Sequence, residues 1–241
     1  MALISVQSVN SGAGANTVAA NMAAAYTSRG KKVVLIELDS RNVLGCWFGK
    51  HTLDDDGWAN AHSNGKSWKD AIFMSPGGTC FIPFGDAHLD IEIMINVLSK
   101  MCQTASLKFD YIIVLLPNNL KIEDYGVSVD LALKVINPTP LSVTMLSKLL
   151  NNNPATENTR FVLNACRHDV GLSRELVLVL EKMLGDKLLS SYLYFDIAVQ
   201  ETFAELSNVI VSALYSQSHI EFKQLATVTL SYLEQKQQQG R

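Results

Sequence analysis

The chain has 241 residues, of which 48% are hydrophobic and 18% are charged, and its formal net charge is −3. Because disordered chains are poor in apolar residues and rich in charge, this composition excludes overall disorder. The slightly acidic balance also argues against a strongly basic nucleic-acid-binding protein, so we expect no nucleic-acid partner.

Strand and helix signals alternate along the chain. Strands are predicted at residues 2–7, 32–37, 79–83, 110–116, 134–137 and 160–165, and residues 188–195 are strand-like. Helices are predicted at residues 16–28, 89–106, 172–184, between the two strands at 134–137 and 160–165, and over most of the remainder to residue 234. Such strands, apolar along almost their whole length, favour a doubly wound, mostly parallel α/β sheet with helices on both faces. We predict a single domain over residues 1–234, followed by a disordered Gln-rich tail at 235–241.

Targeting signals are missing from the sequence. The sequence contains no stretch of 18 uninterrupted apolar residues, so it predicts no membrane span. The opening MALISVQSVN lacks the basic flank and apolar region of a signal peptide. The four cysteines, Cys46, Cys80, Cys102 and Cys166, have no metal-binding spacing and are typical of reduced thiols. We therefore expect a cytoplasmic protein.

A glycine-containing loop, SVNSGAGANT at residues 8–17, joins the first strand to the first helix. Ligands of parallel α/β sheets bind at the carboxyl ends of the strands, and a helix N-terminus attracts anions. The first template that fits is the dinucleotide fingerprint G-x-G-x-x-G/A. Gly12 and Gly14 match it, Thr17 takes its sixth position, and Glu37 would serve as the acid that binds a ribose.

The second template is the phosphate-binding P-loop. Placing its final hydroxyl residue on Thr17 puts its lysine position at Asn16 and the preceding glycine at Ala15. In this register the loop resembles that of the MinD/ParA family of deviant Walker A ATPases, which reads KGGxGKT. Ser11 stands in the signature-lysine position, Gly12 matches and Ala13 replaces a glycine. The resemblance implies a three-layer P-loop NTPase sandwich. In this sequence, both lysines of the family's loop are replaced.

Other family elements are partly present. Glu37-Leu38-Asp39 fits the acidic pair after the second strand, and Asp39 takes the place of the acid associated with water activation. Pro117 keeps the end of the Walker B pattern Asp-x-Pro, but Leu115 replaces its aspartate. Asn164 matches an asparagine that contacts adenine in the family. The resemblance therefore implies Asp39 as the catalytic residue of any remaining activity.

Charge decides what such a site could do. One lysine about 4 Å from a phosphate contributes on the order of 4 kcal/mol near a protein surface, and phosphoryl transfer depends on electrostatics and positioning. We predict a degenerate nucleotide site made of Gly12, Gly14, Asn16, Thr17 and Asn164, with Thr17 as the ligand of any Mg²⁺. No cofactor is expected, with low-affinity ATP and Mg²⁺ as the alternative. The prediction leans towards a protein that is not an enzyme.

A more specific resemblance lies downstream. The segments GWANA at 57–61, WKDA at 68–71 and PFG at 83–85 are similar to those of the BcsQ (YhjQ) family, MinD-like proteins of bacterial cellulose-synthesis operons. The opening residues, FVLNACR and FDIAVQETFAE extend the similarity over most of the chain. Trp58 and Trp68 fit either a packed core or a partner surface.

The BcsQ resemblance implies an accessory role in cellulose or exopolysaccharide secretion and biofilm formation. It implies BcsR-like and BcsE-like partners, peripheral contact with the inner membrane through them, and a homodimer or a heterodimer with an intact BcsQ paralogue. Three functions stay open: a non-catalytic docking protein, a weakly active ATP-dependent switch, and a dinucleotide-binding protein.

Overall fold

The computed structural model describes residues 1–51, 56–152 and 155–239. Seven strands form one sheet in the order β3-β4-β2-β5-β1-β6-β7. The strands are β1 Ala2–Ser8, β2 Val33–Glu37, β3 Phe73–Met74, β4 Cys80–Ile82, β5 Tyr111–Leu115, β6 Leu131–Ile136 and β7 Thr159–Leu163. All neighbours pair in parallel except β3 and β4, which are antiparallel. The predicted doubly wound α/β fold is confirmed.

Helices cover both faces of the sheet. They are α1 Ala15–Ser28, α2 Trp58–Ser63, α3 Ile91–Ala105, α4 Pro140–Asn152, α5 Gly171–Leu184, α6 Ile197–Ala204, α7 Val209–Ser212 and α8 Gln217–Gln239. One core cluster joins α1, α7 and α8 to the sheet. The clusters with α2 and α3, and with α4 and α5, take the alternate residues of the strands and so lie on the opposite face. The result is a three-layer sandwich.

The prediction lacks α2 and β3 and begins the strand β6 three residues late, and two further predicted segments differ from the structure. Residues 188–195 form no regular strand and make only isolated bridges, Phe161 with Leu188 and Cys166 with Tyr194. Helix α8 continues to Gln239, into the segment for which a disordered tail is predicted, while residues 240 and 241 lie outside the described residues. The inner side of α8 is packed into the core through Phe222, Leu225 and Leu230. Across the described ranges, we find no helix with the length and hydropathy needed to span a bilayer.

Candidate functional site

The candidate site lies where β1, β2 and β5 end, at the carboxyl edge of the sheet. A crevice of about 340 Å³ is lined there by Ser11, Asp39, Arg41, Pro117, Asn118 and Asn119. Asn118 Nδ2 donates to Ser11 Oγ at 3.2 Å across this crevice. The three central strands are fully buried and their registers are aligned, so the loops that follow them converge at one place.

The loop between β1 and α1 keeps the backbone geometry of an anion site. Gly12 and Gly14 have φ values of +83° and +100°, which favour glycine. The first hydrogen bond inside α1 runs from Val18 N to Gly14 O, and Ala15 N donates to Ser8 Oγ. The N–H groups of Asn16 and Thr17 therefore have no acceptor within the helix and point out of its N-terminus. This end of α1 can bind an anion through its backbone.

Asn164 contacts this loop, as the sequence predicts for residues at the carboxyl edge. Its Nδ2 donates to Ala13 O at 2.9 Å. A Cβ atom added to Gly14 would lie 2.2 Å from the same Nδ2, so the side chain sits directly against the loop. Gly14 is thus required both by its φ and by this close approach. The structure brings together Gly12, Gly14, Asn16, Thr17 and Asn164.

Asn16, in the lysine position of the P-loop, contacts an aromatic side chain. Trp47, in the 3-10 helix Leu44–Phe48, donates its Nε1–H to Asn16 Oδ1 at 2.5 Å. The Trp47 ring packs against Phe203 of α6, with 4.7 Å between the centroids. Asn16 Nδ2 is buried and has no hydrogen-bond partner in the structure. An unsatisfied buried donor of this kind typically costs about 1–3 kcal/mol.

Asp39 is engaged by Arg41. The Arg41 guanidinium donates from Nε to both carboxylate oxygens at 3.0 Å and from Nη2 to Oδ2 at 2.5 Å, and the backbone N–H of Arg41 also donates to Oδ1. The Asp39 side chain is 6% exposed and that of Arg41 is 63% exposed. Hydrogen bonding to the carboxylate raises the pKa of Arg41 above its ordinary value. The Asp39 charge is therefore neutralised within the crevice.

Glu37 is enclosed in the protein. Its Oε1 accepts from Val43 N and Leu44 N, both at 3.1 Å, and its Oε2 accepts from Phe84 N at 3.3 Å. Desolvation raises the pKa of Glu37 to about 8, although these backbone donors oppose the shift. Its carboxyl group accepts hydrogen bonds from two loops. The dinucleotide interpretation requires a Glu37 carboxylate that can reach a ribose, and this buried group cannot do so.

The GWANA segment at residues 57–61 packs closely against the PFG turn at residues 83–85. Trp58 is fully buried and donates its Nε1–H to Glu37 O at 2.7 Å. Gly57 approaches the PFG turn so closely that an added Cβ would lie 2.0 Å from Gly85 N. The choice left open by the sequence is thus resolved for Trp58, which belongs to the core. Trp68 is partly buried against the same cluster.

Leu115, in the Walker B position, is fully buried at the end of β5 and belongs to the core cluster beneath α1.

The loop that follows β5 is held by Gln7 of β1. Gln7 Nε2 donates to the carbonyl oxygens of Pro117 and Leu120, and Gln7 Oε1 accepts from Lys134. Burial lowers the pKa of Lys134. This polar chain positions one wall of the crevice.

The sequence did not identify Arg41, Trp47 or Gln7 as site residues. Arg41 follows Asp39 by two residues, a spacing at which a side chain can reach back to a carboxylate, and this was the available signal. Trp47 lies in an apolar segment that is typical of a core, so nothing in its local sequence points to Asn16. Gln7 is a polar residue in an otherwise apolar strand, which indicates a buried hydrogen-bonding role.

Comparison with known proteins decides the family. The family model described as cellulose biosynthesis protein BcsQ matches residues 1–230. The chain belongs to the BcsQ family. Cellulose biosynthesis protein BcsQ of Escherichia coli K12 is 28% identical over 130 residues, which are 49% of this chain and 51% of that protein. The chain thus spans about half the length of the curated relative it matches.

Solved structures share the fold of this BcsQ family member. The cell division ATPase MinD of Pyrococcus furiosus matches with a TM-score of 0.73 and 22% identity, covering 95% of this chain and 98% of that one. The MinC:MinD complex of Aquifex aeolicus matches with a TM-score of 0.74 and 19% identity, covering 94% of this chain and 96% of that one. A putative plasmid partition protein of Borrelia burgdorferi B31, bound to AMPPNP, matches with a TM-score of 0.75 and 16% identity, covering 95% of this chain and 98% of that one. These likenesses establish a MinD/ParA-like P-loop NTPase sandwich.

The P-loop fold implies a nucleoside triphosphate with Mg²⁺, and this BcsQ family member fits that group in part. The backbone N–H groups of Asn16 and Thr17 supply neutral donors at the loop, whereas the side-chain Nδ2 of Asn16 is buried. Ser11 and Asn16 supply no positive charge in the two lysine positions. Of the crevice-lining residues, Arg41 alone is cationic, and it is paired with Asp39. Within the described ranges, no three His, Cys, Asp or Glu residues form a metal-binding group.

Proposed function

We propose that this protein is a non-catalytic, BcsQ-like accessory or regulatory protein of bacterial cellulose or exopolysaccharide synthesis and secretion, and that it acts by docking to other proteins. The observation that carries the proposal is the ion pair between Asp39 and Arg41. A carboxylate whose two oxygens accept four hydrogen bonds from Arg41 is poorly placed to orient a water molecule. Asp39 is the one candidate catalytic residue that the family resemblance offers.

Three further positions support the absence of hydrolysis. Ser11 and Asn16 stand where the family resemblance places lysines, and Leu115 stands in the place of the Walker B aspartate. Phosphoryl transfer is accelerated almost entirely by positioning and electrostatic stabilisation. Replacing two cations and one metal-associated acid by neutral groups removes that stabilisation, and the Trp47 contact directs the Asn16 side chain into the protein.

The family also suggests where the protein works. We infer a cytoplasmic protein that reaches the inner membrane through partners of the cellulose synthase complex, with BcsR-like and BcsE-like proteins as the partners to test. A homodimer, or a heterodimer with an intact BcsQ paralogue, fits the same role. Loss of cellulose secretion on deletion of the gene, restored by a D39A variant, would support docking without catalysis.

Phosphate release from ATP and Mg²⁺ is the direct test of the proposal. We expect no turnover above a protein-free blank, and no gain from R41A, which removes the partner of Asp39 but restores neither lysine. The matched control is D39A. Turnover by the unmodified protein that disappears in D39A would refute the non-catalytic role.

The second candidate function is an ATP-binding switch. It is favoured by the outward N–H groups of Asn16 and Thr17 and by Asn164, which lies against the same loop. Titration calorimetry with ATP and Mg²⁺ separates the two, because no heat at millimolar nucleotide would eliminate the switch. The third function, dinucleotide binding, loses its motivating residue because Glu37 is buried. NADH fluorescence tests it under the same conditions.

A further inference from the structure

A groove separates α5 from the irregular segment at residues 188–195. Its volume is about 450 Å³, which is in the range of ligand-binding sites. One wall is a single face of α5, whose residues are spaced as neighbours on a helix: Arg174, Val177, Leu178 and Glu181. The opposite wall includes Tyr192 and Tyr194. This groove shares no lining residue with the crevice at the carboxyl ends of β1, β2 and β5, so it is a second place where this chain can bind another molecule.

The middle of the groove is apolar. Tyr192 and Tyr194 are both partly buried against the core cluster of α4 and α5, whereas Leu193 between them belongs to the cluster on the other face of the sheet. This alternation is that of a strand, and it directs both tyrosine rings towards α5. The thiol of Cys166 also lines the groove, and burial raises its pKa to about 12, so it stays uncharged. An apolar side chain in the groove would contact α5 on one side and the tyrosines on the other.

The two ends of the groove differ in charge. Near one end, Glu181 accepts a hydrogen bond from the Tyr192 hydroxyl at 2.7 Å. At the other end, Arg174 donates from Nη1 to His168 O at 2.8 Å. Arg174 and Glu181 are seven residues apart, about 10.5 Å along the helix axis, so these two charges do not pair. The groove therefore has one negative and one positive end.

Arg174 is the guanidinium of the groove that is left open to a ligand. Arg167 also lines the groove, but it pairs with Asp169 at 2.8 Å and lies over the Phe195 ring. Arg174 is exposed, and among the ion pairs of the described residues it has no carboxylate partner. A planar guanidinium with free N–H groups binds carboxylates strongly. Charge complementarity therefore puts an acidic group at the Arg174 end, beside the apolar middle.

We propose that the groove binds a peptide segment of a partner protein in which a large apolar side chain stands next to an acidic one. The apolar side chain packs between α5 and the two tyrosines, and the acidic one pairs with Arg174. Leu178 lines the groove and is 65% exposed, so the apolar surface extends onto the outside of the protein, where a peptide covers it and a small ligand inside the groove does not. Glu181 repels an acid at the opposite end, which sets the direction of the peptide.

This inference rests on the docking role proposed above and names one surface for it. The groove needs no nucleotide. ATP turnover by the protein would therefore refute the non-catalytic role and leave the groove standing, whereas a failure of peptide binding would remove the groove alone.

The first test measures peptide binding to the full chain by fluorescence anisotropy, without nucleotide. The probe is the fluorescein-labelled peptide Ser-Gly-Asp-Asp-Phe-Leu-Gly-Ser. One matched probe has asparagines in place of the aspartates, and another has alanines in place of the phenylalanine and leucine. We expect saturable binding of the first probe with a Kd below about 1 mM, and binding at least about tenfold weaker for each matched probe. No saturable binding of the first probe, or equal binding of all three, would overturn the proposal.

The second test places the acidic residue of the peptide at Arg174. R174E should weaken binding of the first probe by at least about tenfold, because it turns an attraction into a repulsion. The matched control is K182E, the same charge reversal on the same helix, since Lys182 is exposed and does not line the groove. K182E should stay within about twofold of the wild-type affinity. A probe with lysines in place of the aspartates should bind R174E more tightly than it binds the wild-type chain. Equal losses in R174E and K182E would mean that the peptide binds elsewhere.

The third test places the apolar side chain of the peptide. L178A should weaken binding of the first probe severalfold, whereas L172A should not, although Leu172 is on the same helix and 54% exposed. The probe that carries alanines should not distinguish L178A from the wild-type chain. Circular dichroism confirms that each variant is folded. Unchanged binding of the first probe to L178A would contradict the proposed position.

Discussion

The indole of Trp47 donates its N–H to Oδ1 of Asn16, the residue that stands in the lysine position of the P-loop. The contact crosses from the 3-10 helix Leu44–Phe48 to the first turn of α1, and it leaves Asn16 Nδ2 buried without a partner. The Asn16 side chain, at the start of α1, is thereby attached to Trp47 of the hydrophobic core.

Replacing Trp47 with phenylalanine should destabilise the protein. W47F keeps an aromatic ring for Phe203 but leaves both polar atoms of the Asn16 amide unpaired, so we expect a loss of about 1–3 kcal/mol in the free energy of unfolding. Urea unfolding followed by circular dichroism measures it. In a double-mutant cycle with N16A, the two effects should be clearly non-additive, because both variants break the same bond. Additive losses would mean that this hydrogen bond contributes nothing.

Stability should depend on pH through Glu37. Its pKa is about 8 in the folded protein and 4.5 in the reference state, so the folded state keeps a proton that the unfolded state releases. Between about pH 4.5 and 8, unfolding therefore releases a proton, and stability falls as pH rises, by on the order of a few kcal/mol. Denaturant midpoints across this range measure the slope. E37Q should flatten the profile, and an equally steep slope in E37Q would assign the effect to other groups.

Removing Arg41 should leave the Asp39 charge uncompensated. R41A is expected to lower the free energy of unfolding by about 1 kcal/mol, a modest value because the guanidinium is largely exposed. The double variant D39N/R41A should recover most of this loss, since it removes the charge together with its partner. R41K keeps a positive charge without the forked geometry and should fall between wild type and R41A. If D39N/R41A is less stable than R41A, the proposed neutralising role is wrong.

Two glycines of the loop allow a matched comparison. Both have positive φ, but an added Cβ at Gly12 meets open space whereas one at Gly14 would lie 2.2 Å from Asn164 Nδ2. G12A should therefore lose only about 1–2 kcal/mol, for its backbone conformation. G14A should lose clearly more, and N164A should recover the difference in the double variant G14A/N164A. Equal losses for G12A and G14A would show that Asn164 moves away freely. Thermal unfolding suffices for the ranking.

Much of the fold follows from sequence because its central strands are apolar along almost their whole length. The strands Val33–Glu37 and Tyr111–Leu115 lie between covering helices, and such strands leave little ambiguity about burial. The grouping of Gly12, Gly14 and Asn164 follows equally, because carboxyl ends of parallel strands share one edge. The prediction of a strand at residues 188–195 was wrong. The segment is apolar enough to be buried, but its pairing with β7 is not continuous.

The side-chain contacts of the site could not be predicted in the same way. Glu37 and Asp39 form one acidic pair in sequence, yet one carboxyl group is enclosed by backbone donors of two loops and the other is bound by an arginine on the crevice. That difference depends on where residues 43, 44 and 84 pass in space. Likewise, the partner of Asn16 comes from a segment 31 residues away.

The irregular segment after β7 has a consequence for how other proteins can bind. Leu189 N donates to Phe161 O and Leu193 N donates to Leu163 O, so this segment occupies two carbonyl oxygens on the outer side of β7. At the other end of the sheet, β3 is only two residues long. Among the described residues, neither margin of the sheet has a long row of open backbone groups, which is what binding by strand addition requires. We therefore expect a partner to recognise side chains of the helices and loops rather than the margins of the sheet.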